Sequence, residues 1–305
     1  MNNSIVFITG MTGFVGKNLQ SYLAKDFKVE GISRKESPDG LTYKMFLEEN
    51  GPYDAMIHLA GKAHDLKKSA NDKEYYDVNF GLTKLLYDQF LQSDAEKFIY
   101  ISSVKAVADT VVGSLKEEVT AKPVTVYGKS KLMAEDYILS NLSSSKKVYI
   151  LRPCMIHGPE NKGNLNLLFR IVIKGFPWPL GAFKNQRSFC SIENLCFVIR
   201  ELLAQESVPS GVYNVADDEA LSTNDLIQLI ATSQKKQARI LHVSKEIVAS
   251  IAKIGGFMRL PLNSERLQKL TESYVVSNEK IVSAIEKPLP IKSKEGLLKT
   301  FESFK

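Results

Sequence analysis

Cysteine is scarce in this sequence, and the few cysteines form no recognisable pattern. The chain has three, Cys154, Cys190 and Cys196, and no Cys-x-x-Cys pair. An odd number without paired spacing indicates neither a disulfide framework nor a zinc site, so we expect no metal. The simplest compartment for such a chain is a reducing one, and we expect a cytoplasmic protein.

Long apolar runs and long basic runs are also missing. No apolar stretch reaches the roughly 18 residues of a membrane span, and the N-terminus enters the first predicted strand directly, so we expect neither span nor signal peptide. The net charge is +6, but Lys and Arg are scattered, which argues against nucleic acid and suits anionic small ligands. Segment 247–258 is apolar enough to suggest contact with a membrane surface, yet its Gly255-Gly256 pair favours a core or lid helix.

What the chain does contain is a regular alternation of apolar strands with helices. Strands are predicted at 5–8, 28–32, 42–46, 54–61, 97–103 and 148–153. Helical patterns follow at 14–23, at 75–91 and from 126. Strands that are apolar throughout and alternate with helices are typical of a parallel sheet covered on both faces. We therefore predict an α/β fold, a Rossmann-like doubly wound parallel sheet with a smaller mixed α/β lobe.

The pattern changes after about residue 154. Helices are then predicted at 165–173, 193–204, 223–231 and 278–285, with short strands at 212–216 and 239–243. This division predicts a dinucleotide-binding domain over residues 1–155, to which the chain returns around 188–216. The remaining stretches, 156–187 and 217–305, are predicted to form a substrate-binding lobe.

A glycine-rich turn joins the first strand to the first helix. Its spacing is Gly10-x-x-Gly13-x-x-Gly16, and the residues around it are Thr12, Phe14 and Val15. Backbone N–H groups at a helix start attract phosphate, and glycines let a pyrophosphate approach the main chain closely. The turn is therefore predicted to bind a dinucleotide.

The end of the second strand bears on the choice of cofactor. An acidic residue there accepts hydrogen bonds from the adenosine ribose of NAD, whereas an arginine suits the 2′-phosphate of NADP. This chain has Ser33-Arg34-Lys35. Arg34 is either a contact to the adenosine of NADP or a solvated loop cation, and both interpretations stay open here.

Two further elements bring small or amide side chains towards the same region. The strand at 54–61 ends in Leu59-Ala60-Gly61, and small residues at a strand end let a flat ring or ribose lie against the backbone. His58 lies within the apolar run and is predicted to be a packed core histidine. Asn79 falls on an apolar helix face, so its amide must be hydrogen-bonded.

The chemistry is predicted to reside in Ser103, Tyr127 and Lys131. Tyr127 and Lys131 are four residues apart at a helix start, so they project from one face. A neighbouring ammonium and a cationic nicotinamide would favour phenolate and lower the pKa of Tyr127, which could then exchange a proton with a substrate oxygen. Ser103 ends a strand and can hydrogen-bond the same oxygen. The trio indicates an alcohol–ketone site.

These residues together resemble the extended short-chain dehydrogenases/reductases of the NAD-dependent epimerase/dehydratase family, which act on nucleotide sugars. The matching stretches follow one another in the family's order: Thr9-Gly10-Met11-Thr12-Gly13-Phe14-Val15-Gly16, His58-Leu59-Ala60-Gly61, Tyr76-Asp77-Val78-Asn79, Phe98-Ile99-Tyr100-Ile101-Ser102-Ser103, Tyr127-Gly128-Lys129-Ser130-Lys131, Arg152-Pro153 and Gln186-Arg187-Ser188-Phe189. The resemblance covers most of the chain and implies NAD or NADP as cofactor.

The resemblance also implies roles for residues. Lys131 would hold the nicotinamide ribose, Asn79 would support the helix of Tyr127, and further cofactor contacts would come from Leu59, Ala60 and Pro153. Substrate contacts would come from Ser103, Lys105, Asn164, Arg187 and Arg266. Arg187 would bind the diphosphate, for which a planar guanidinium is suited. For Arg266, a surface salt bridge is an equally open interpretation.

The implied activity is oxidoreduction at C4 of a nucleotide sugar. We expect a UDP-hexose or UDP-N-acetylhexosamine 4-epimerase in surface polysaccharide biosynthesis. The alternatives are an NADPH-dependent reductase of a UDP-4-keto-6-deoxy sugar and a catalytically silent nucleotide-binding protein on the same fold. A homodimer is also left open.

Two departures from the family pattern narrow the activity. The 4,6-dehydratases carry an Asp-Glu pair just after the Ser/Thr, where this chain has Val104-Lys105. The acid and base for water elimination are therefore missing, which disfavours a dehydratase. His157 stands where many relatives have Tyr.

Overall fold

A parallel sheet forms the centre of the molecule. The computed structural model describes residues 4–35, 40–49, 51–62, 71–161, 163–257 and 264–304. Its strands are β1 (Ile5–Thr9), β2 (Lys28–Ser33), β3 (Gly40–Thr42), β4 (Ala55–His58), β5 (Lys97–Ile101), β6 (Ser114–Leu115), β7 (Lys147–Pro153), β8 (Met155–His157), β9 (Phe189–Ser191), β10 (Gly211–Val215) and β11 (Val275–Val276).

Helices connect these strands and cover the sheet. They are α1 (Phe14–Leu23), α2 (Tyr43–Glu49), α3 (Asp72–Tyr76), α4 (Leu82–Gln92), α5 (Val126–Ser140), α6 (Asn164–Ile173), α7 (Ile192–Ala204), α8 (Thr223–Ser233), α9 (Lys245–Phe257), α10 (Ser264–Thr271), α11 (Glu279–Ile285) and α12 (Ser293–Glu302). A π-helical turn, Asp77–Gly81, joins α3 to α4, and a 3₁₀ turn, Val104–Ala106, follows β5. No helix of the described residues is long and apolar enough to span a membrane.

The sheet has seven strands in the order β10-β7-β5-β4-β1-β2-β3, and every pairing is parallel. All five residues of β5 and all four of β4 are buried, as expected for strands with helices on both faces. Within the sheet Thr9 is paired with His58. The carboxyl ends of β1, β4 and β5 therefore meet at one edge, where open α/β sheets bind ligands. The predicted fold class is confirmed.

Three apolar cores hold the molecule together. One cluster on one face of the sheet includes Val6, Leu19 and Ile199, and another on the opposite face includes Phe7, Leu86 and Ile138. The third is built from later segments of the chain, α6, α8, α9, α10 and α12. The predicted substrate-binding lobe thus has a core of its own in its helical part.

Two predicted strands differ from the structure. The strand predicted at 42–46 is wrong beyond Thr42, because Tyr43–Glu49 is helix α2, whose Met45 N–H donates to Thr42 Oγ1 at 3.2 Å. A hydroxyl that accepts from the first turn of a helix favours a helix start. The stretch 239–243 forms isolated bridges at Ile240 and His242 to the segment at Trp178 and Leu180, not a regular strand.

The helix predicted at 75–91 is present with a local change of winding. The π-helical turn Asp77–Gly81 interrupts it and contains Asn79. Segment 247–258 is helical within α9, apart from Met258, which lies outside the described residues. Val248 and Ala252 are buried, whereas Ile247 and Ile251 are exposed, so α9 packs one face against the third core.

Candidate active site

The glycine turn is packed too tightly for any other residue at two positions. Gly10 has φ +72°, and a Cβ there would lie 2.9 Å from the Ala60 nitrogen. A Cβ at Gly16 would lie 2.4 Å from the Gly10 carbonyl oxygen. The Gly13 N–H donates to that same oxygen at 3.0 Å, which closes the turn.

The start of α1 beyond this turn fits an anionic dinucleotide. Thr12 and Gly13 are exposed, while Phe14 and Val15 are half-buried. No acidic residue lies in the first turn of α1, and no side chain caps it. N–H groups of a first helical turn have no partner within the helix, so they are available to a pyrophosphate.

The strand ends beside the turn are held by a chain of buried hydroxyls. Thr9 Oγ1 lies 2.7 Å from His58 Nδ1 and accepts from the Ala60 N–H at 3.1 Å. His58 Nε2 lies 2.9 Å from Thr83 Oγ1. Burial lowers the pKa of His58 to about 3, so the ring stays neutral. The prediction of a packed core histidine is confirmed. Leu59 and Ala60, which follow it in the chain, are half-buried.

Arg34 lies at the end of β2, next to the strand that leads into the glycine turn. Its side chain is exposed, and no carboxylate of the described residues lies within 4 Å of it. Its charge also acts on the half-buried phenol of Tyr43, whose pKa is raised by burial. Among the described residues Arg34 has no carboxylate partner at the predicted adenosine end, which fits either of its two interpretations.

Asn79 ties the end of β4 to α5. Its Oδ1 accepts from the Lys62 N–H at 2.7 Å, and its Nδ2 donates to the Lys62 carbonyl at 3.1 Å and to Ser130 Oγ at 3.0 Å. Both amide protons are used within the protein and the side chain is fully buried. Asn79 therefore positions Lys62 and Ser130, and a direct contact of its amide with the cofactor stays a prediction.

Ser103 and Tyr127 come together at the carboxyl end of β5. Ser103 caps the 3₁₀ turn, accepting from the Lys105 N–H at 3.2 Å, and its hydroxyl is hydrogen-bonded to the phenol of Tyr127. Thr125 caps α5 by accepting from the Gly128 N–H at 3.2 Å, which fixes where the helix begins. Tyr127 and Ser103 are both half-buried.

The lowered pKa of Tyr127 expected beside Lys131 and a bound nicotinamide stays a prediction, because the protein's residues alone shift it the other way. Burial raises the pKa of Tyr127, the Ser103 hydrogen bond opposes this, and the nearby Glu135 carboxylate adds to the rise. Desolvation of a phenolate outweighs one neutral hydrogen bond. Tyr127 is therefore a neutral phenol in this site.

Lys131 is the buried cation of the site. Its Nζ donates to the Ile101 carbonyl at 2.9 Å and lies 4.8 Å from the centre of the Tyr100 ring. Burial lowers the pKa of Lys131 to about 8, with Glu135 opposing the fall. A Cβ at Gly61 would lie 3.1 Å from this Nζ, so the glycine keeps the approach to the amine open.

A buried ion pair supports the trio from behind. Glu135 lies one turn after Lys131 in α5, and its two oxygens accept from Arg152 Nε at 3.1 and 3.0 Å. Arg152 Nη2 donates to Oε2 at 2.5 Å, and Ser102 donates to Oε1. The pair links α5 to β5 and β7, and Pro153 follows it at the buried end of β7.

Lys105 and Arg187 lie in one cluster of mixed charge. Burial lowers the pKa of Lys105 most, the nearby Asp109 and Glu272 carboxylates oppose this, and the charges of Arg187 and Lys269 lower it further. Lys105 Nζ donates to the Asp109 carbonyl at 2.9 Å and lies 4.3 Å from the Tyr274 ring centre. Arg187 Nη1 donates to the Lys269 carbonyl at 2.6 Å. Burial lowers the pKa of both cations, which indicates that their charges are incompletely compensated.

Sequence reasoning missed Lys269, Glu272 and Tyr274, which complete this cluster. The Glu272 carboxylate lies 4.0 Å from Arg187, and Tyr274 donates to the Ala108 carbonyl at 2.8 Å. The Lys269 charge also acts on Lys105. These residues lie more than 80 positions after Arg187 or Lys105, and no local motif marks them.

The two remaining predicted substrate contacts are less informative. Asn164 is the first residue of α6 and is exposed. The side chain of Arg266 lies outside the described residues, although its backbone belongs to α10. His157, which departs from the family pattern, is buried between Thr300 Oγ1 at 2.9 Å and Asp217 Oδ2 at 3.2 Å.

Comparisons with known proteins agree with the fold. A profile of the NAD dependent epimerase/dehydratase family matches residues 6–216. UDP-glucose 4-epimerase of Vibrio cholerae is 33% identical over 250 residues, which are 76% of each chain. GDP-6-deoxy-D-mannose reductase of Pseudomonas aeruginosa is 26% identical over 250 residues, 77% of this chain and 82% of that protein.

Solved structures share the fold. UDP-glucuronic acid 4-epimerase from Bacillus cereus, in complex with NAD, superposes with a TM-score of 0.76 at 18% identity, covering 98% of this chain and 96% of that one. The protein RMD from Pseudomonas aeruginosa, complexed with NADPH, gives 0.73 at 22% identity, covering 99% and 98%. The chain belongs to the NAD-dependent epimerase/dehydratase family and is an enzyme of this NAD- or NADP-dependent class.

Proposed function

We propose that the protein catalyses oxidoreduction at C4 of a UDP-sugar, as a UDP-hexose or UDP-N-acetylhexosamine 4-epimerase. The observation that carries this proposal is the meeting of Ser103 and Tyr127 at the carboxyl end of β5, with Lys131 one turn further along α5. The glycine turn lies at the same edge of the sheet. The identity of 33% to the Vibrio cholerae UDP-glucose 4-epimerase supports the sugar nucleotide and the position of the reaction.

NAD(P), when bound, takes up hydride and gives it back. The protein's own residues manage the proton: Ser103 Oγ hydrogen-bonds the C4 oxygen, and Tyr127 Oη removes the hydroxyl proton and returns it. Lys131, fixed to the Ile101 carbonyl, places an ammonium beside the open edge at Gly61, where it can hold a ribose hydroxyl. Because Tyr127 is neutral here, proton removal needs positive charge close to the phenol in the loaded site.

The substrate's diphosphate is assigned to Lys105 and Arg187. Burial removes hydration from both cations and lowers their pKa values. A dianionic ligand would stabilise their charged forms in place of the lost water. In this proposal the sugar lies between residues 1–155 and the lobe of 156–187 and 217–305, and Asn164 contributes from the start of α6.

A second candidate is an NADPH-dependent reductase of a UDP-4-keto-6-deoxy sugar. The exposed Arg34, with no carboxylate of the described chain within 4 Å, favours it, because an arginine at this strand end suits a 2′-phosphate. The likeness to a GDP-6-deoxy-D-mannose reductase shows that this half-reaction occurs among the relatives.

In the deciding experiment, the cofactor that co-purifies with the protein is identified first. The protein is then incubated with a panel of UDP-sugars, with and without NADPH. An epimerase interconverts sugars without net consumption of cofactor, whereas a reductase oxidises NADPH stoichiometrically with a 4-keto substrate. Tyr127→Phe should abolish turnover and retain cofactor, and Tyr22→Phe in α1 is the control. Cofactor binding without turnover of any sugar would make the chain a silent nucleotide-binding protein.

The proposal also includes assembly and location. Three buried free thiols suit a reducing compartment, so we place the enzyme in the cytoplasm. The homodimer stays a prediction, and light scattering during gel filtration of the full chain measures it.

A further inference from the structure

One face of α6 exposes large apolar side chains. Leu167 is 63% exposed, Ile171 39%, and Phe176, just beyond the helix, 64%. Leu167 and Ile171 are four residues apart, so they share one side of the helix. We call these three residues, together with the nearby cations Arg170, Lys174, Lys236 and Arg239, the α6 face.

Every charge on this face is positive. Arg170 and Lys174 are the charged residues of the stretch 164–174. Phe176 and Lys174 line a groove of about 570 Å³ that also contains Lys236 and Arg239 and has no Asp or Glu in its lining. No carboxylate of the described residues lies within 4 Å of these four cations.

We infer that the α6 face binds the surface of a membrane that contains anionic lipids. Exposed Leu, Ile and Phe side chains can enter the boundary between headgroups and acyl chains, as in helices that lie in a membrane interface. The long stems of Arg170 and Lys174 let their charges reach lipid phosphates while the apolar side chains insert. Four uncompensated cations supply the attraction to an anionic leaflet.

Two other occupants fit the charges less well. A second copy packed symmetrically on this face would bring the four cations of one protomer against the same four of its partner. A protein partner would meet a face that includes Lys174 and Lys236, and protein interfaces are depleted of lysine. Neither occupant matches an apolar face with a uniform positive charge.

Vesicle co-sedimentation of the full chain tests the inference, with phosphatidylglycerol mixed with phosphatidylcholine and phosphatidylcholine alone. We expect binding to the anionic vesicles at low salt, weak binding to the neutral ones, and release at high salt. The double variant Leu167→Ser/Phe176→Ser should lower the partition coefficient at least about tenfold. Arg170→Gln/Lys174→Gln should lower it about thirtyfold, at about 1 kcal/mol for each cation.

Matched controls change the same chemistry elsewhere. Val112→Ser removes a fully exposed apolar side chain, and Lys25→Gln/Lys292→Gln removes two exposed cations of other surfaces. Thermal unfolding checks that all variants fold. The inference is overturned if the unmodified chain ignores anionic vesicles at low salt, or if the α6-face variants bind as the controls do. It is also overturned if these variants change only the molar mass in solution, since the face would then be a protein interface.

Discussion

The buried ammonium of Lys131 should make the stability of the protein depend on pH, and Lys131→Met should remove that dependence. Burial lowers its pKa from 10.5 to about 8. Between these two values the unfolded chain binds more protons at this group than the folded chain does. The free energy of unfolding therefore rises with pH through this window, and the folded state is penalised below pH 8.

The size of the effect follows from the two pKa values. With about 8 folded and 10.5 unfolded, the contribution of Lys131 should rise by about 2 kcal/mol between pH 7 and pH 9.5. Chemical unfolding of the wild type and of Lys131→Met across this range gives two curves, and their difference isolates the ionisation. The absolute offset of the variant also contains the lost bond to the Ile101 carbonyl, so the slope is the quantity to compare.

Lys129→Met is the matched control, because Lys129 lies in the same helix and is exposed. Its difference from the wild type should be flat over the same range. A flat difference for Lys131→Met as well would refute the reasoning, since Lys131 would then keep its ordinary pKa in the folded protein.

Three further outcomes test the candidate site. Gly16→Ala should lose cofactor binding or fold less stably, because its Cβ would lie 2.4 Å from a backbone oxygen. Gly51→Ala is the control, because its Cβ would meet nothing within 4 Å. Equal calorimetric results for the two variants would contradict the tight turn. Arg187→Ala should raise KM for the UDP-sugar about tenfold or more with little change in kcat, and an unaltered KM removes Arg187 from the substrate site. Arg34→Ala should weaken NADP more than NAD in a titration, with the exposed neighbour Lys35→Ala as control, and equal losses for both cofactors would leave Arg34 a surface residue.

The parts of the site that were predictable from sequence depend on local chemistry. Three glycines at fixed spacing after an apolar strand leave few alternatives to a tight strand-to-helix turn. Tyr127 and Lys131 share a helix face because four residues make about one turn. His58 was predictable as a core residue because it lies inside an apolar strand, and Thr9 and Thr83 provide its partners.

The parts that were not predictable depend on tertiary contacts. Tyr274 and Lys269 reach Lys105 and Arg187 from far along the chain, and nothing in their own sequence marks them. Burial raises the pKa of Tyr127, and the spacing of residues in the sequence does not reveal burial. At 42–46, a single hydroxyl contact from Thr42 to the Met45 N–H accompanies a helix where apolar residues suggested a strand.

The Glu135–Arg152 pair constrains how the sequence can change. The Glu135 side chain has no access to water and that of Arg152 is only 7% exposed, so losing one partner would leave an isolated charge in the core, at a cost of about 3–5 kcal/mol. Exchanging both for apolar residues of similar volume costs far less. We therefore expect Glu135 and Arg152 to be kept or replaced together among homologues, because a substitution of either one alone destabilises the fold.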